Sequence, residues 1–216
     1  MIRFRKYFGL PFFMMLLVCA SLAGCKVGED DPFLSFRSRD ARLKANWKLI
    51  EMVNHYEIRT IIAGQQPEVT VIHSDFNGYN LHARTSVNGI IVSDSTFGFN
   101  HLLRIKDHGD VTYESTIVQN FIGIKSSGTD NWYWLDTDKK KARVFLGSAL
   151  KLPAIAGIPQ LSGSNLLFLA TLFSDFTVDG LRNKELELSY TKTMEQVTLG
   201  GFQQITVTSK MTFDSH

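Results

Sequence analysis

Two stretches of the chain alternate apolar and polar side chains with a period of two residues. In Glu185–Tyr190 the apolar side chains are Leu186, Leu188 and Tyr190, and Gln204–Phe213 repeats the pattern. Because successive side chains of a strand point to opposite faces, this alternation places one face of each strand on a core and the other in water. Such strands are typical of antiparallel sheets, so the chain is predicted to be all-β.

Other parts of the chain continue this pattern, separated by short turn sequences. Asn-Gly and Asp-Gly pairs supply the positive φ angles that tight hairpins need, and many short strands joined by hairpins predict an up-and-down barrel or a sandwich. The residues expected to face the core are Trp47, Leu49 and Val53, then Val111, Tyr113 and Ile117, and in the last run Ile205, Val207, Met211 and Phe213. The expected turns are Asn77-Gly78, Asn88-Gly89, Asp107–Asp110, Gly128–Asn131, Asp136–Lys139, Asp179-Gly180 and Gly200-Gly201, and residues 147–165 are expected to form a long apolar loop.

The first residues have the character of an export signal. Three cations within residues 3–6 precede an apolar segment, residues 8–20, which is too short for a bilayer span of roughly 20 residues. It is followed by Leu22-Ala23-Gly24-Cys25, which resembles the lipobox of bacterial lipoproteins. The resemblance implies cleavage between Gly24 and Cys25, a diacylglyceryl group on the Cys25 sulfur and an N-acyl chain on the new amino terminus. Two or more acyl chains give stable membrane anchoring.

The lipobox divides the chain into a removed signal peptide, residues 1–24, and a mature protein. Residues 25–32 are expected to be a flexible acidic tether, residues 33–45 a short helical or irregular arm, and residues 46–216 the β domain. Lys26 stands where an aspartate typically retains lipoproteins in the inner membrane of enterobacteria-like cells. We therefore expect an outer-membrane lipoprotein of a Gram-negative envelope, on the surface or on the periplasmic face.

Composition limits the partners and the cysteine chemistry of the mature chain. It keeps 20 Lys and Arg (23 minus the three in the signal) against 21 Asp and Glu, so it has no broad basic field for nucleic acid. A chain of about 190 residues suits one domain. Cys19 leaves with the signal and Cys25 carries lipid, so the mature fold is expected to have no disulfide, no thiolate nucleophile and no Cys-ligated metal.

Four segments resemble lipocalin-type barrels and occur in the order found in that family. Asn46–Leu49 resembles the Gly-x-Trp opening strand, although the glycine two positions before the tryptophan is missing. Leu102–Tyr113 resembles a strand, a Lys-Asp-Gly turn and a return strand. Asn131–Leu146 resembles a tryptophan strand with its successor, and Leu181–Leu188 a late strand. The chain is thus similar to a lipocalin-like family of bacterial lipoproteins, which implies an up-and-down barrel of roughly eight to ten strands.

The resemblance also assigns roles to individual residues. Trp47 would close one end of the barrel beneath the N-terminal arm, and Lys210 would lie over its ring from the last strand. Trp132 and Trp134 share one strand face, with Tyr133 and Leu135 on the other, and would form the wall of a ligand site, part of the core or an exposed patch. These readings stay open, because a small barrel is either filled by side chains or holds one small ligand.

The sequence contains no catalytic or metal-binding motif. No His-Glu-x-x-His, Gly-x-Ser-x-Gly or dinucleotide pattern is present, and Asp136 and Asp138 resemble turn caps more than metal ligands. His55, His73, His82 and His101 are expected to be strand-face residues and His108 a turn residue. We therefore expect no enzyme, no metal and no cofactor other than the covalent lipid. The predicted function is binding of a small apolar or glycan-like molecule; the alternative is a structural or accessory subunit of an envelope complex, with a filled barrel.

The lipid anchor can be tested by changing Cys25 to Ser. Without the acceptor sulfur the precursor is not lipidated and therefore not cleaved, so the variant should keep its full length and should not partition into detergent. Metabolic labelling with a fatty acid, followed by phase separation, measures both effects. Recovery of normally processed protein from the variant would contradict the lipoprotein assignment.

Overall fold

The computed structural model describes residues 38–119, 122–136, 142–150, 175–198 and 201–215. These form an all-β protein with very little helix, as predicted, but with eleven strands in place of the expected eight to ten. The signal peptide, the tether, residues 33–37, Lys139–Lys141 and residues 151–165 of the predicted loop lie outside the described residues. The elements are α1 (Arg39–Leu43), β1 (Asn46–Ile62), β2 (Glu68–Phe76), β3 (Asn80–Val87), β4 (Ile90–Ile105), a 3₁₀-helix (Asp107–Gly109), β5 (Asp110–Gln119), β6 (Ile122–Asn131), β7 (Tyr133–Trp134), β8 (Arg143–Phe145), β9 (Asp175–Leu181), β10 (Glu185–Thr198) and β11 (Gly201–Ser215).

The eleven strands form one antiparallel sheet in which chain neighbours pair. The order is β6-β5-β4-β3-β2-β1-β11-β10-β9-β8-β7, so the first strand pairs with the last. The two edge strands, β6 and β7, are separated in the chain by Trp132 alone. In addition, residues 46–48 of β1 pair with residues 102–104 of β4. The β2–β3 hairpin lies between β1 and β4 and ends at Phe76 and Asn80, so β1 and β4 pair with each other directly beyond its tip.

An extra residue in β1 makes this double pairing feasible. Leu49 pairs with Phe213 and Glu51 with Thr212, which leaves Ile50 without a partner on β11. Such a bulge bends the strand and shifts its alternation by one residue. The inward prediction for Val53 is therefore wrong, since this side chain is 40% exposed. The buried residues of β1 are Trp47 and Leu49 before the bulge and Met52, Asn54, Tyr56 and Ile58 after it.

Two of the predicted hairpin turns have the expected geometry. Asn88 and Gly89 both have positive φ, 49° and 81°, as a two-residue hairpin turn requires. The Asn88 side-chain oxygen accepts a hydrogen bond of 2.9 Å from the backbone nitrogen of Val69, which ties this turn to β2. In the other, Gly78 has a φ of 90°, and the side-chain oxygen of Asn77 accepts a hydrogen bond from the backbone nitrogen of Asn80.

Two other predicted turns lie inside strands. Gly128–Asn131 belongs to β6, where a Cβ on Gly128 would lie 2.6 Å from the Tyr113 hydroxyl oxygen, so glycine gives that ring room. Asp179-Gly180 belongs to β9, where Gly180 pairs with Glu187 and Val178 with Leu188, leaving Asp179 as a bulge. In both cases glycine serves a close approach or a bulge within a strand.

The core confirms the alternation of the remaining runs. Leu186, Leu188 and Tyr190 are buried, while Tyr113 and Ile117 pack against the core from its margin. Val111, Ile205, Val207, Met211 and Phe213 are also buried. Every strand except the two edge strands, β6 and β7, contributes buried hydrophobic side chains. The inner face of the sheet therefore encloses a single core.

Helix α1 covers one end of this core. Ser38 caps it, since its hydroxyl oxygen accepts a hydrogen bond from the backbone nitrogen of Ala41. Arg42 donates to the backbone oxygen of Leu181, and Arg39 to that of Val178, so the helix is tied to β9. Strands β1, β4, β5, β6, β9, β10 and β11 all have one end here. We call this the α1 end; the far end carries the β1–β2, β3–β4, β5–β6 and β10–β11 hairpins.

Trp47 lies at the α1 end, as the resemblance implied, but its neighbour is α1 and not Lys210. The ring is 1% exposed, and its Nε1 donates a 2.8 Å hydrogen bond to the backbone oxygen of Leu43. Lys210 pairs with Val53, is exposed, and lies 3.9 Å from a carboxylate oxygen of Glu187. Lys210 therefore points away from the core in which Trp47 is buried, and the expected contact between them is corrected.

Changing Trp47 to Ala should be severely destabilising. Removing a fully buried ring of this size leaves a cavity and takes the hydrogen-bond donor away from the Leu43 backbone oxygen. The free energy of unfolding should therefore fall by roughly 3–5 kcal/mol. The control is Tyr79, which is 81% exposed in the turn between β2 and β3, and Tyr79→Ala should change the free energy of unfolding by less than about 0.5 kcal/mol. Equilibrium denaturation measures both. Equal midpoints for the two variants would contradict the end-closing role of Trp47.

Candidate functional site

A cleft of about 300 Å³ lies at the α1 end, where α1, the 3₁₀-helix and the β6–β7 junction meet. It contains both tryptophans that the sequence singled out, Trp132 and Trp134, together with Tyr133 between them. We call it the tryptophan cleft. The remaining lining residues are Asp40, Lys44, His108 and Gly109.

Both indoles of the cleft are fixed by hydrogen bonds to the protein. Trp132 donates from its backbone nitrogen to the Gly109 oxygen, 2.6 Å, and from Nε1 to the Lys106 oxygen, 2.9 Å. Trp134 donates from Nε1 to a carboxylate oxygen of Asp40, 2.6 Å. The two rings meet edge to face with centroids 6.3 Å apart. Since the N–H groups are engaged, these side chains can offer a ligand only their ring surfaces.

The two tryptophans belong to the core and to the cleft at once. Trp132 is 7% exposed and part of the core, while Trp134 is partly buried and packs against it. The guanidinium of Arg39 lies 5.7 Å from the centroid of the Trp134 ring, within range of a cation–π contact. Tyr133 is 51% exposed and stacks on Phe145, with centroids 4.6 Å apart. Tyr133 is thus the most exposed of the three aromatic residues that line the cleft, and its side chain lies on the strand face opposite to that of Trp134.

Charged groups stand beside these rings. The ammonium of Lys44 lies 2.7 Å from a carboxylate oxygen of Asp107 in the 3₁₀-helix. This hydrogen bond raises the pKa of Lys44 and lowers that of Asp107, so both are charged at neutral pH. His108 lies in the adjacent turn, as predicted, with a φ of 65°. The cleft therefore combines aromatic surface with a fixed ion pair and the Asp40 carboxylate.

A second, larger groove of about 530 Å³ lies between β1, β4, β5 and β6. Register places Asn46, Arg104, Thr112 and Thr129 in one row across these strands. Arg104 Nε donates a 2.7 Å hydrogen bond to the Asn46 side-chain oxygen. We call this the Arg104 groove. Sequence analysis missed it, because the row exists only through the β1–β4 pairing; Glu114 and Ser127 line the next row.

Polar side chains also occur inside the core. His101 is fully buried, with Nδ1 2.7 Å from the Ser115 hydroxyl oxygen, and the hydroxyl of Ser209 donates to the Asn54 side-chain oxygen at 2.6 Å. Neither His101 Nε2 nor Ser74 Oγ has a hydrogen-bond partner among the described residues. Burial lowers the pKa of His101 to about 3, which keeps the imidazole neutral. The inward position of His101 was predictable, since it follows the parity of the buried Phe97, Phe99 and Leu103.

The remaining residues that the sequence singled out are Asp136, Asp138, Gly24 and Cys25. Asp136 caps its turn, as predicted, by accepting hydrogen bonds from the backbone nitrogens of Ala142 and Arg143 and from the Arg143 side chain. Burial opposes its ionisation, but these hydrogen bonds outweigh burial and lower its pKa. Asp138, Gly24 and Cys25 lie outside the described residues. Within the described ranges no group of three or more His, Cys, Asp or Glu side chains is placed to hold a metal ion.

Helices of the described segments are all too short or too polar to cross a membrane. Comparison of the chain with protein-family models, with curated proteins and with solved structures gives no match.

The buried His101 should make stability depend on pH. The unfolded chain binds a proton at histidine below about pH 6.5, whereas the folded chain does not until about pH 3, so stability falls as the pH drops between these values. At pH 5 the loss from this residue alone should be about 2 kcal/mol relative to pH 8. His101→Gln, which keeps a hydrogen-bonding group for Ser115, should remove this part of the pH dependence.

The matched control is His108→Asn, at an exposed turn position whose positive φ asparagine tolerates. This variant should keep the pH dependence of the unmodified chain. Urea denaturation at pH 5, 6, 7 and 8 measures all three proteins. An unchanged pH dependence in His101→Gln would show that His101 is not buried in its neutral form.

Proposed function

We propose that the mature chain is a lipid-anchored binding module with a lipocalin-like barrel, which holds a small glycan-like molecule at its α1 end. The observation that carries the proposal is the tryptophan cleft with its fixed aromatic rings, Asp40 carboxylate and Lys44–Asp107 ion pair. An apolar ligand and a glycan-like ligand were both open from the sequence, and the charged lining favours the second.

Strand connectivity supports the barrel. An up-and-down barrel joins sequence neighbours around a ring and closes by pairing its first strand with its last. Here every pair of neighbours in the strand order is consecutive in the chain except β1 and β11, which are the first and last strands; the short β1–β4 pairing is additional. The edges β6 and β7 are parts of one chain segment that continues through Trp132. In the proposed barrel this kinked segment bridges the remaining seam.

The anchor follows from the lipobox. Acyl chains on Cys25 would hold the protein at the outer membrane of a Gram-negative cell, with residues 25–32 as the tether and the N-terminal arm, from residue 33, leading into Ser38. Because Ser38 and α1 belong to the α1 end, the tether leaves from the end that carries the cleft. The near-balanced charge of the mature chain supports a small-molecule ligand over nucleic acid.

The chemistry of a sugar matches the lining of the cleft. Sugars present patches of C–H groups that pack on aromatic rings, and hydroxyl groups that bond to carboxylates and cations. Trp134 offers ring surface, Tyr133 borders the cleft beside Phe145, and Lys44 offers the cation. The volume of about 300 Å³ lies at the lower limit of small-molecule sites, and the Arg104 groove of about 530 Å³ lies within their range. A single sugar unit would suit the cleft, and a longer glycan could extend into the groove.

We propose binding without catalysis. The Asp40 carboxylate accepts from Trp134, and that of Asp107 accepts from Lys44, so both acids of the cleft stabilise the protein's own structure. A general acid or base needs a pKa near the working pH, and that of Asp107 is lowered further from it.

The packing of the core favours the alternative, an accessory subunit of an envelope complex with a filled barrel. The inner face towards the α1 end is occupied by large buried side chains, among them Trp47, Leu49 and Phe213. A ligand at this end must therefore bind outside the core, in the cleft or the groove. A chain that binds no ligand at either place would act through its surface instead.

Calorimetric titration of residues 26–216 with soluble sugars tests the proposal. The panel contains neutral, N-acetylated and uronic di- and trisaccharides. At least one should bind, and Tyr133→Ser and Lys44→Met should each weaken it tenfold or more, about 1.4 kcal/mol. Tyr79→Ser is the control, exposed in the β2–β3 turn and outside the cleft, and should bind like the unmodified chain. Absence of binding to the whole panel, or binding that neither cleft variant weakens, would contradict the proposal and favour the accessory subunit.

A further inference from the structure

Large apolar side chains are exposed at the far end of the sheet. On the β1–β2 hairpin, Ile61 and Ile62 are each 40% exposed. On the β3–β4 hairpin, Ile90 is 71% exposed, Ile91 56% and Val92 49%. Burying such side chains in an apolar medium is favourable, so a cluster of them in water calls for a partner.

The other two hairpins of the far end repeat this feature. Val118 is 42% exposed at the end of β5, and Ile122 and Ile124 are 70% and 64% exposed at the start of β6. Val197, near the end of β10, is 88% exposed. Nine of the thirteen exposed large hydrophobic side chains among the described residues therefore lie on these four hairpins. We call these nine residues the apolar rim.

Charge is distributed in the opposite way. Residues 60–67, 85–93, 115–124 and 196–209, which contain the four hairpin tips, include no Asp, Glu, Lys, Arg or His. The loops of the α1 end are rich in charge: residues 105–110 contain one lysine, two aspartates and a histidine, and residues 182–185 contain three charged side chains. The two ends of the molecule thus differ in polarity, and the uncharged end matches an uncharged partner.

The rim is apolar on both faces of the sheet. Ile61 and Ile62 are consecutive in β1 and so point to opposite faces. Ile124 pairs with Ile117, on the face that borders the core, whereas Val118 points the other way. A ligand inside the barrel would contact the inner face alone. Apolar side chains on both faces are expected where the end of the sheet enters an apolar medium.

The rim is also held in a fixed geometry. The turn before Ile90 is a tight Asn88-Gly89 hairpin, which hydrogen bonds in both directions with the backbone of Val69 on β2. Such a hairpin loses little freedom on contact with a partner, which favours binding.

We infer that the apolar rim inserts into the apolar region of an uncharged lipid bilayer. The inference rests on the proposed lipid anchor for its setting. The thirteen Cα–Cα steps from Cys25 to Ser38 can span at most about 45 Å, and a strand of the length of β10 spans about as much before tilting. The tether is therefore long enough for the rim to rest on the membrane that holds the anchor.

Vesicle binding by the mature polypeptide without its lipid tests the inference apart from the anchor. Residues 26–216 contain every described residue, and circular dichroism of each protein checks its fold. Co-sedimentation with pure phosphatidylcholine vesicles should show binding. Because salt screens only interactions between charges, the partition coefficient should be the same at about 0.1 M and about 1 M salt. The double variant Ile90→Ser/Ile122→Ser should lower the partition coefficient at least tenfold. Val53→Ser/Tyr79→Ser, exposed outside the rim, should leave it unchanged.

Three results would overturn the inference. They are absence of binding to phosphatidylcholine, binding that requires anionic lipid, and equal losses in both double variants. A dimer that the rim variants dissociate, without vesicle binding, would assign the rim to a second copy of the chain instead. Sugar titration of Ile90→Ser/Ile122→Ser separates this inference from the proposed function, because the rim variants leave the tryptophan cleft at the opposite end intact.

Discussion

The fold depends on the pairing of β1 with three other strands. Residues 46–48 pair with β4, residues 52–60 pair with β2, and the other side of the strand pairs with β11 except at the Ile50 bulge. The bulge at Ile50 lets one strand serve two neighbours on the same side, because a bulge bends the strand and increases its twist. The same bend turns Trp47 inward beneath α1. The closure of the α1 end, the tryptophan cleft and the Arg104 groove all depend on this pairing.

Much of the fold could be predicted from local alternation. The runs that contain Leu186 and Val207 keep one register without interruption, so period two alone gave their buried faces correctly. The prediction failed for Val53 because a bulge arises only when two strands pair. The apolar pattern of β1 alone does not indicate that Ile50 is left unpaired. The turn predicted at Gly128–Asn131 was wrong for a related reason. Gly128 makes room for the Tyr113 ring, and only the cross-strand neighbour reveals this.

The candidate site was predictable in its aromatic part only. Trp132 and Trp134 stood out by size and spacing, and the structure does bring them to one cleft. Their partners Asp40 and Lys106 lie far away in the chain, so no local pattern connects them. The Lys210 contact failed for a simpler reason, since residues of β11 alternate and Lys210 has the outward parity. The contrast between a charged α1 end and an apolar far end likewise needs the topology, which gathers four uncharged turns from distant parts of the sequence.

An engineered disulfide tests the β1–β4 pairing most directly. Residues 26–216 contain no cysteine, and Asn46 lies opposite Arg104 next to the hydrogen bond from the Ile105 nitrogen to the Ala45 oxygen. Opposed residues in such a pair have Cα atoms about 4.5–5.5 Å apart, within the range of a disulfide. Asn46→Cys/Arg104→Cys should therefore oxidise spontaneously in the folded protein, while Asn46→Cys/Thr112→Cys, one strand further away, should stay reduced. Failure of the first pair to form, or equal formation of both, would contradict the account.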